Sequence, residues 1–270
     1  MRHNMKPRQI AINAITTADA PLDELFAAYA AAGFRNVELP LGRIRQHGGE
    51  VKSLLQKHNL RCLGGFETHV ACFGDPQAME ENHARLIANA GWIAELGGGV
   101  LVVGTDGPGE RSFVALDAIG RTMLGLIEKM PPTVSLAVEF NWSPIIKSLR
   151  SAKIVCDVAT HPRIGILFDT AHFHCTPSKL EDLTPAVVAK IMHVHVSDMR
   201  DKPGELCDCN ADRVLPGDPA GALDLRAILG RIEALGYRGF FSLELFNEEI
   251  WKLPVAEASK RCFAAMQRLL

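Results

Sequence analysis

Short apolar runs alternate with longer amphipathic stretches along the whole chain. The runs predict strands at Gln9–Ile15, Asn36–Leu39, Arg61–Phe66, Val100–Val103, Val134–Phe140, Ile164–Phe168, Ile191–Val196 and Gly239–Leu245. Between them the apolar spacing predicts helices at Pro21–Ala32, Gly49–His58, Pro76–Leu96, Arg111–Met130, Pro144–Ala159, Pro177–Lys190, Leu223–Leu235 and Pro254–Leu270. Strand-then-helix units in this order call for parallel strands joined by right-handed crossovers. Several strands are continuously apolar, as expected where helices cover the sheet.

Boundary residues agree. Thr17-Ala18-Asp19-Ala20-Pro21 opens the first helix, Gly33 ends it, and Gly97-Gly98-Gly99 ends the third. Pro131-Pro132 stops the fourth helix before the fifth strand. No Gly/Ser/Pro-rich linker divides the chain, so the expectation is one domain over residues 1–270, a single (β/α)8 TIM barrel of the α/β class. An open doubly wound sheet would carry a Gly-rich phosphate loop after its first strand. Asn13-Ala14-Ile15-Thr16-Thr17 is not one.

Composition narrows the classes. The 270 residues suit one barrel, which typically takes about 250. Lys+Arg 29 nearly balance Asp+Glu 31, with no basic stripe, so no nucleic-acid partner is expected. No apolar run spans a bilayer, and the N-terminus lacks a secretory pattern. Seven scattered cysteines suit reduced thiols, and the expected location is the cytoplasm. Cys207-Asp208-Cys209 alone is weak evidence for zinc. The stretch Ser197–Ala222 reads as a long irregular loop on the strand C-terminal face, part of a substrate lid.

The chemistry stands at the strand ends. The fifth strand delivers Glu139, the sixth Asp169, the seventh His195 and the eighth Glu244. Taken singly, each has a plainer reading. Asp169 is equally a helix cap, and a lone histidine is more often a hydrogen-bonded core residue. Glu139 and Glu244, however, interrupt apolar strands where a solvated charge does not belong. Together the four predict one bound divalent cation, because unpaired buried carboxylates are costly. Three carboxylates and an imidazole suit Mn²⁺ first, with Mg²⁺, Co²⁺ or Zn²⁺ as alternatives. So electron-rich a site favours polarising a carbonyl and stabilising an enediolate over making hydroxide.

The segments Val138-Glu139-Phe140-Asn141, Phe168-Asp169-Thr170-Ala171-His172, His193-Val194-His195-Val196-Ser197-Asp198 and Leu215-Pro216-Gly217-Asp218 carry a resemblance, as does Leu235–Gly239 leading into Glu244. The chain resembles the xylose isomerase-like TIM-barrel superfamily, the sugar phosphate isomerase/epimerase group that shares its barrel with endonuclease IV. The match is most specific from Val134 onward. It implies that Glu139, Asp169, His195 and Glu244 bind the metal. It also implies that Glu139 and Glu244 flank the substrate and move protons, while His172 bonds a substrate oxygen. Glu67-Thr68-His69 is expected at the edge of the site, with His69 toward substrate. Arg200 or Arg213 is expected to bind a substrate hydroxyl, carboxylate or phosphate, with a surface arginine as the equal alternative for each. Trp142 and Phe140 are candidates for an apolar wall, with core packing as the commoner use.

Two positions depart from the ketohexose epimerases: Ile145 stands where they have a second glutamate, and Asp201 where they have an arginine. The implied activity is a metal-dependent isomerase or epimerase of a small keto-sugar or keto-polyol. The alternative is a dehydratase of the inosose or dehydroshikimate type, sharing the first proton abstraction. A multi-zinc DNA-repair endonuclease and a non-catalytic sugar binder are disfavoured, the first by balanced charge and the second by the intact ligand set. A homo-oligomer is compatible with the sequence, which does not set the oligomeric state.

Overall fold

The structure is a computed structural model that describes residues 6–108, 110 and 112–270; Arg111 and the side chains of Glu67 and Thr68 fall outside the described residues. Eight parallel strands close a barrel: β1 (Ile10–Asn13), β2 (Asn36–Pro40), β3 (Arg61–Val70), β4 (Val100–Thr105), β5 (Ser135–Glu139), β6 (Ile164–Asp169), β7 (Ile191–Val196) and β10 (Phe241–Leu243), with β1 pairing both β2 and β10. Two further strands, β8 (Asp198–Met199) and β9 (Arg213–Val214), form an antiparallel ribbon on the barrel's mouth.

The outer face of the strands packs on α1 (Leu22–Ala32), α3 (Gly49–Lys57), α4 (Pro76–Glu95), α5 (Phe113–Ile127), α6 (Leu149–Ala159), α9 (Leu225–Ala234) and α11 (Val255–Gln267), in one continuous apolar core. A separate small cluster of Val102, Ala137 and Leu167, with Phe66, Val100 and Met192 against it, fills the barrel interior. Ala137 and Leu167 stand two residues before Glu139 and Asp169, so the period of two turns those carboxylates into the same lumen, one layer higher. Met192 reaches it because the β6–β7 register skips this residue, passing from Ile166↔Ile191 to Leu167↔His193. At Gly64 a Cβ would meet the Val100 carbonyl oxygen at 2.0 Å, so this close approach of β3 to β4 requires glycine.

Three expectations need correction. The helix predicted over Pro177–Lys190 is instead α7 (Thr170–Cys175), a 3-10 turn (Leu180–Asp182) and α8 (Pro185–Val188). Asp169 caps His172 N at 2.9 Å and so starts α7 directly at the strand end, while Thr184 and Pro185 restart the chain later. The helix predicted from Pro144 begins at Leu149, where Ser148 caps it. The stretch Ser197–Ala222 is not irregular throughout: β8 and β9 pair within it, and Arg200 bridges to Gly221. Two short helices, α2 (Leu41–His47) and α10 (Glu248–Trp251), were too short for the periodicity to show. No helix among the described residues is long and apolar enough to cross a membrane.

Candidate active site

Strand ends set the site. Glu139 closes β5, Asp169 closes β6, His195 is the penultimate residue of β7, and Glu244 follows β10. All four are buried, and one donor atom from each lies within 4.8 Å of the others. Four parallel strands ending on one rim place these side chains together although more than a hundred residues separate the first from the last.

Each ligand candidate is held from behind. His195 Nε2 lies 3.1 Å from Glu38 Oε2, while His195 Nδ1 faces Glu244 Oε2 at 3.2 Å and Asp169 Oδ2 at 3.9 Å. Glu38 Oε1 also lies 2.9 Å from His193 Nε2, so one carboxylate supports both histidines of the strand. Asn13 donates from Nδ2 to Glu244 Oε1 at 2.8 Å. Asp169 divides its work between its two oxygens: Oδ1 caps α7, and Oδ2 faces the cluster. His172 Nε2 stands 3.3 Å from Glu139 Oε1, and its Nδ1 is hydrogen-bonded to the Asn141 side chain at 3.1 Å. Asn141 adopts a left-handed backbone (φ 72°), which asparagine tolerates and which turns the chain sharply after Phe140.

Arg213 changes the charge account. Its side chain is 1 % exposed, and Nη1 donates to Asp169 Oδ2 at 2.8 Å and Glu244 Oε2 at 3.2 Å. Nε donates to the Cys209 carbonyl at 2.7 Å, and the guanidinium lies 5.4 Å from the Phe246 ring centre. The ribbon thus brings a fixed cation into the carboxylate cluster. The surface alternative is excluded for Arg213 and describes Arg200, whose side chain is 48 % exposed within 4.0 Å of Asp212. Burial alone therefore does not demand a metal, because a protein cation already answers part of the negative charge.

The titration pattern follows from the same contacts. Burial opposes charge on Asp169, but Arg213, then His172 and His195, hold its carboxyl well below the usual range. Burial likewise opposes charge on Glu38, and His193 and His195 overcome it in the same direction. For Glu139 burial prevails over the pull of His172, and its pKa is raised. Burial disfavours the His172 imidazolium, yet Asp169, Cys209 and Glu139 push its pKa up to about 10. His195 is raised too, by Glu244 and Glu38 acting against burial.

The donor set fits a divalent cation on two observations. Glu139 Oε1 and His195 Nδ1 make no well-directed hydrogen bond among the described residues, although His172 Nε2 and Glu244 Oε2 stand 3.3 and 3.2 Å away, and both atoms belong to the four-residue cluster. The outward-turned Nε2 of His195 on a carboxylate is also how metal-ligating histidines are usually oriented.

The remaining sequence candidates lie around this centre. Trp142 is 38 % exposed, just past Asn141. Phe140 is not part of an apolar wall: it is fully buried and packs at 6.2 Å on Phe168. His69 is exposed near the end of β3, outside the buried cluster. Sequence reasoning missed Glu38, His193, Asn13 and Asn141. Glu38 carried the same signal as Glu139, a carboxylate inside an apolar strand, and His193 shares a strand face with His195 by the period of two.

The family model described as xylose isomerase-like TIM barrel matches residues 26–266. An inosose isomerase of Bacillus licheniformis is 38% identical over 130 residues, 47% of this chain and 45% of the relative. The chain thus spans about half the length of the inosose isomerase it matches. A rhizopine catabolism protein of Rhizobium meliloti is 24% identical over 276 residues, covering 90% of this chain and 83% of that protein. Among solved structures, an IOLI protein with a binding zinc atom superposes with a TM-score of 0.85 at 22% identity over 97% of both chains, a likeness of fold.

Proposed function

The chain belongs to the xylose isomerase-like TIM barrel family, and from that premise we propose that it is a divalent-metal-dependent isomerase or epimerase of a small keto-sugar or keto-polyol. One observation carries the reading: two carboxylates from separate strands, Glu139 and Glu244, converge with Asp169 and His195 on one buried point. The inosose isomerase similarity supports a cyclic keto-polyol among the candidate substrates.

Glu139, Asp169, His195 and Glu244 would hold the metal, whose charge, when bound, polarises the substrate carbonyl and acidifies the adjacent C–H. Glu139, made more basic by burial, is suited to take that proton. Glu244, fixed by Asn13 and Arg213, is suited to return a proton from another direction. Return to the opposite face of the same carbon inverts it; return to the neighbouring carbon moves the carbonyl. His172, whose pKa is raised by Asp169, Cys209 and Glu139 against burial, is positioned by Asn141 at Nδ1 and is suited to donate from Nε2 to a substrate oxygen beside Glu139. Trp142 and His69 would contact substrate from the rim.

Incubation with Mn²⁺ and a panel of inososes and ketoses in D₂O tests this. The expected result is deuterium at the carbon next to the carbonyl, lost in Glu139→Gln and in Glu244→Gln. A conjugated enone chromophore without exchange into recovered substrate would instead assign the dehydratase chemistry. Neither signal across the panel would remove the reading.

A further inference from the structure

A cavity of about 1170 Å³ lies away from the carboxylate cluster. It opens at the opposite pole of the barrel, where strands begin: Arg8 precedes β1, Arg35 precedes β2, Arg61 starts β3 and Phe240 precedes β10. Lys6 and Arg238 complete a ring of five cations, against one lining carboxylate, Glu233. The whole chain has a formal net charge of −2, so this is a local concentration and not a general basicity. Among the described residues, none of the five cations forms an ion pair with a carboxylate. Like charges held around one cavity repel, and an anion between them removes the repulsion.

Two of the guanidinium groups are fixed in advance by an identical device. Arg35 Nη1 donates to the carbonyls of Ala30 and Phe34, at 3.0 and 2.7 Å. Arg238 Nη1 donates to the carbonyls of Glu233 and Tyr237, both at 2.7 Å. Each reaches back five residues and one residue, at the C-terminal ends of α1 and α9, and α9 lines the cavity with Gly230, Glu233 and Ala234. A guanidinium has five N–H donors, so each retains donors for a ligand while its position is set, which lowers the ordering cost of binding. Arg61 is braced differently, 5.3 Å over the Phe240 ring. Its cationic fork suits phosphate oxygens in pairs.

We propose that this basin binds a small anion carrying two or more phosphate groups, at a site separate from the chemistry of the opposite pole. The concave shape and volume suit a small molecule better than a polymer surface. Five charges call for a ligand of higher charge density than one carboxylate supplies. The proposal does not rest on the isomerase reading, since no residue is shared between the two sites.

Calorimetric titration of the full chain with inorganic pyrophosphate tests it, on chelator-treated protein so that no cation bridges the anion, in about 0.15 M salt. The expected result is one site with a Kd below about 1 mM, weakened at least about tenfold in Arg8→Glu/Arg61→Glu. Those two side chains are exposed, so the variant's melting temperature should match that of the parent. Citrate and orthophosphate are the comparison ligands, expected to bind more weakly than pyrophosphate. The proposal is overturned by no saturable binding, by equal binding in the variant, by citrate binding as tightly as pyrophosphate, or by duplex DNA competing for the same residues.

Discussion

Glu38 holds His195 by the nitrogen that faces away from the carboxylate cluster, Oε2 to Nε2 at 3.1 Å. With one proton kept on Nε2, a cation that displaces the Nδ1 proton would meet the Nδ1 lone pair at the point where Glu139, Asp169 and Glu244 converge. Replacing Glu38 by Gln keeps the volume and removes the charge that fixes this tautomer. Divalent-cation affinity, read by competition with a chromophoric chelator, should fall roughly 10–100-fold. Unchanged affinity would mean that the tautomer is set elsewhere.

Arg213 bonds both Asp169 and Glu244, and no other arginine or lysine bonds the two together among the described residues. Arg213→Met keeps much of the packing against Phe246 but strands two buried carboxylates. In chelator the variant should lose about 3–5 kcal/mol of stability, the usual cost of breaking a buried pair. Added Mn²⁺ should restore more stability to the variant than to the parent, because the cation then answers charge that Arg213 no longer does. Equal metal-induced shifts in melting temperature for the two proteins would refute this.

His172 has its pKa raised from 6.5 to about 10, so folding favours its charged form. The stabilisation is full below the unfolded value and disappears as pH rises through the folded one. In chelator-treated protein the stability advantage of the parent over His172→Gln should therefore shrink between about pH 6.5 and 10. Urea unfolding at pH 6, 8 and 10, flanking and spanning that window, measures it. A pH-independent difference would mean that His172 is neutral in the folded state.

Trp142 leaves more than a third of its surface in solvent beside the Asn141–His172 pair. Trp142→Ala should raise KM for the keto substrate several-fold while moving the melting temperature little, since large losses on truncation come from buried rings. A sharp fall in melting temperature with KM unchanged would assign it to packing.

The barrel was legible because each strand is a short, mainly apolar run and each outer helix has its own stripe. All eight barrel strands stand within a few residues of their predicted places. The broken helix after β6 was hidden because Pro177 reads as a helix start and the apolar spacing runs on to Lys190, and only the cap of Asp169 on His172 shows that the turn of helix begins earlier. The four converging donors could be named because they stand at the ends of consecutive strands. Arg213 could not be placed, since its burial depends on the β8–β9 pairing of a segment whose two-residue strands give no periodic signal. Glu38 shares the pattern of Glu139, a carboxylate within an apolar strand, but it stands in the middle of β2 and not at its end, so the strand-end signal does not single it out.

Calorimetric Mn²⁺ titration of chelator-stripped protein beside Asp169→Asn tests the metal site most directly. One ion should bind per chain, with that binding lost or greatly weakened in the variant while the melting temperature still reports a folded barrel. No bound ion in the parent, or full stoichiometry and affinity in the variant, would contradict it.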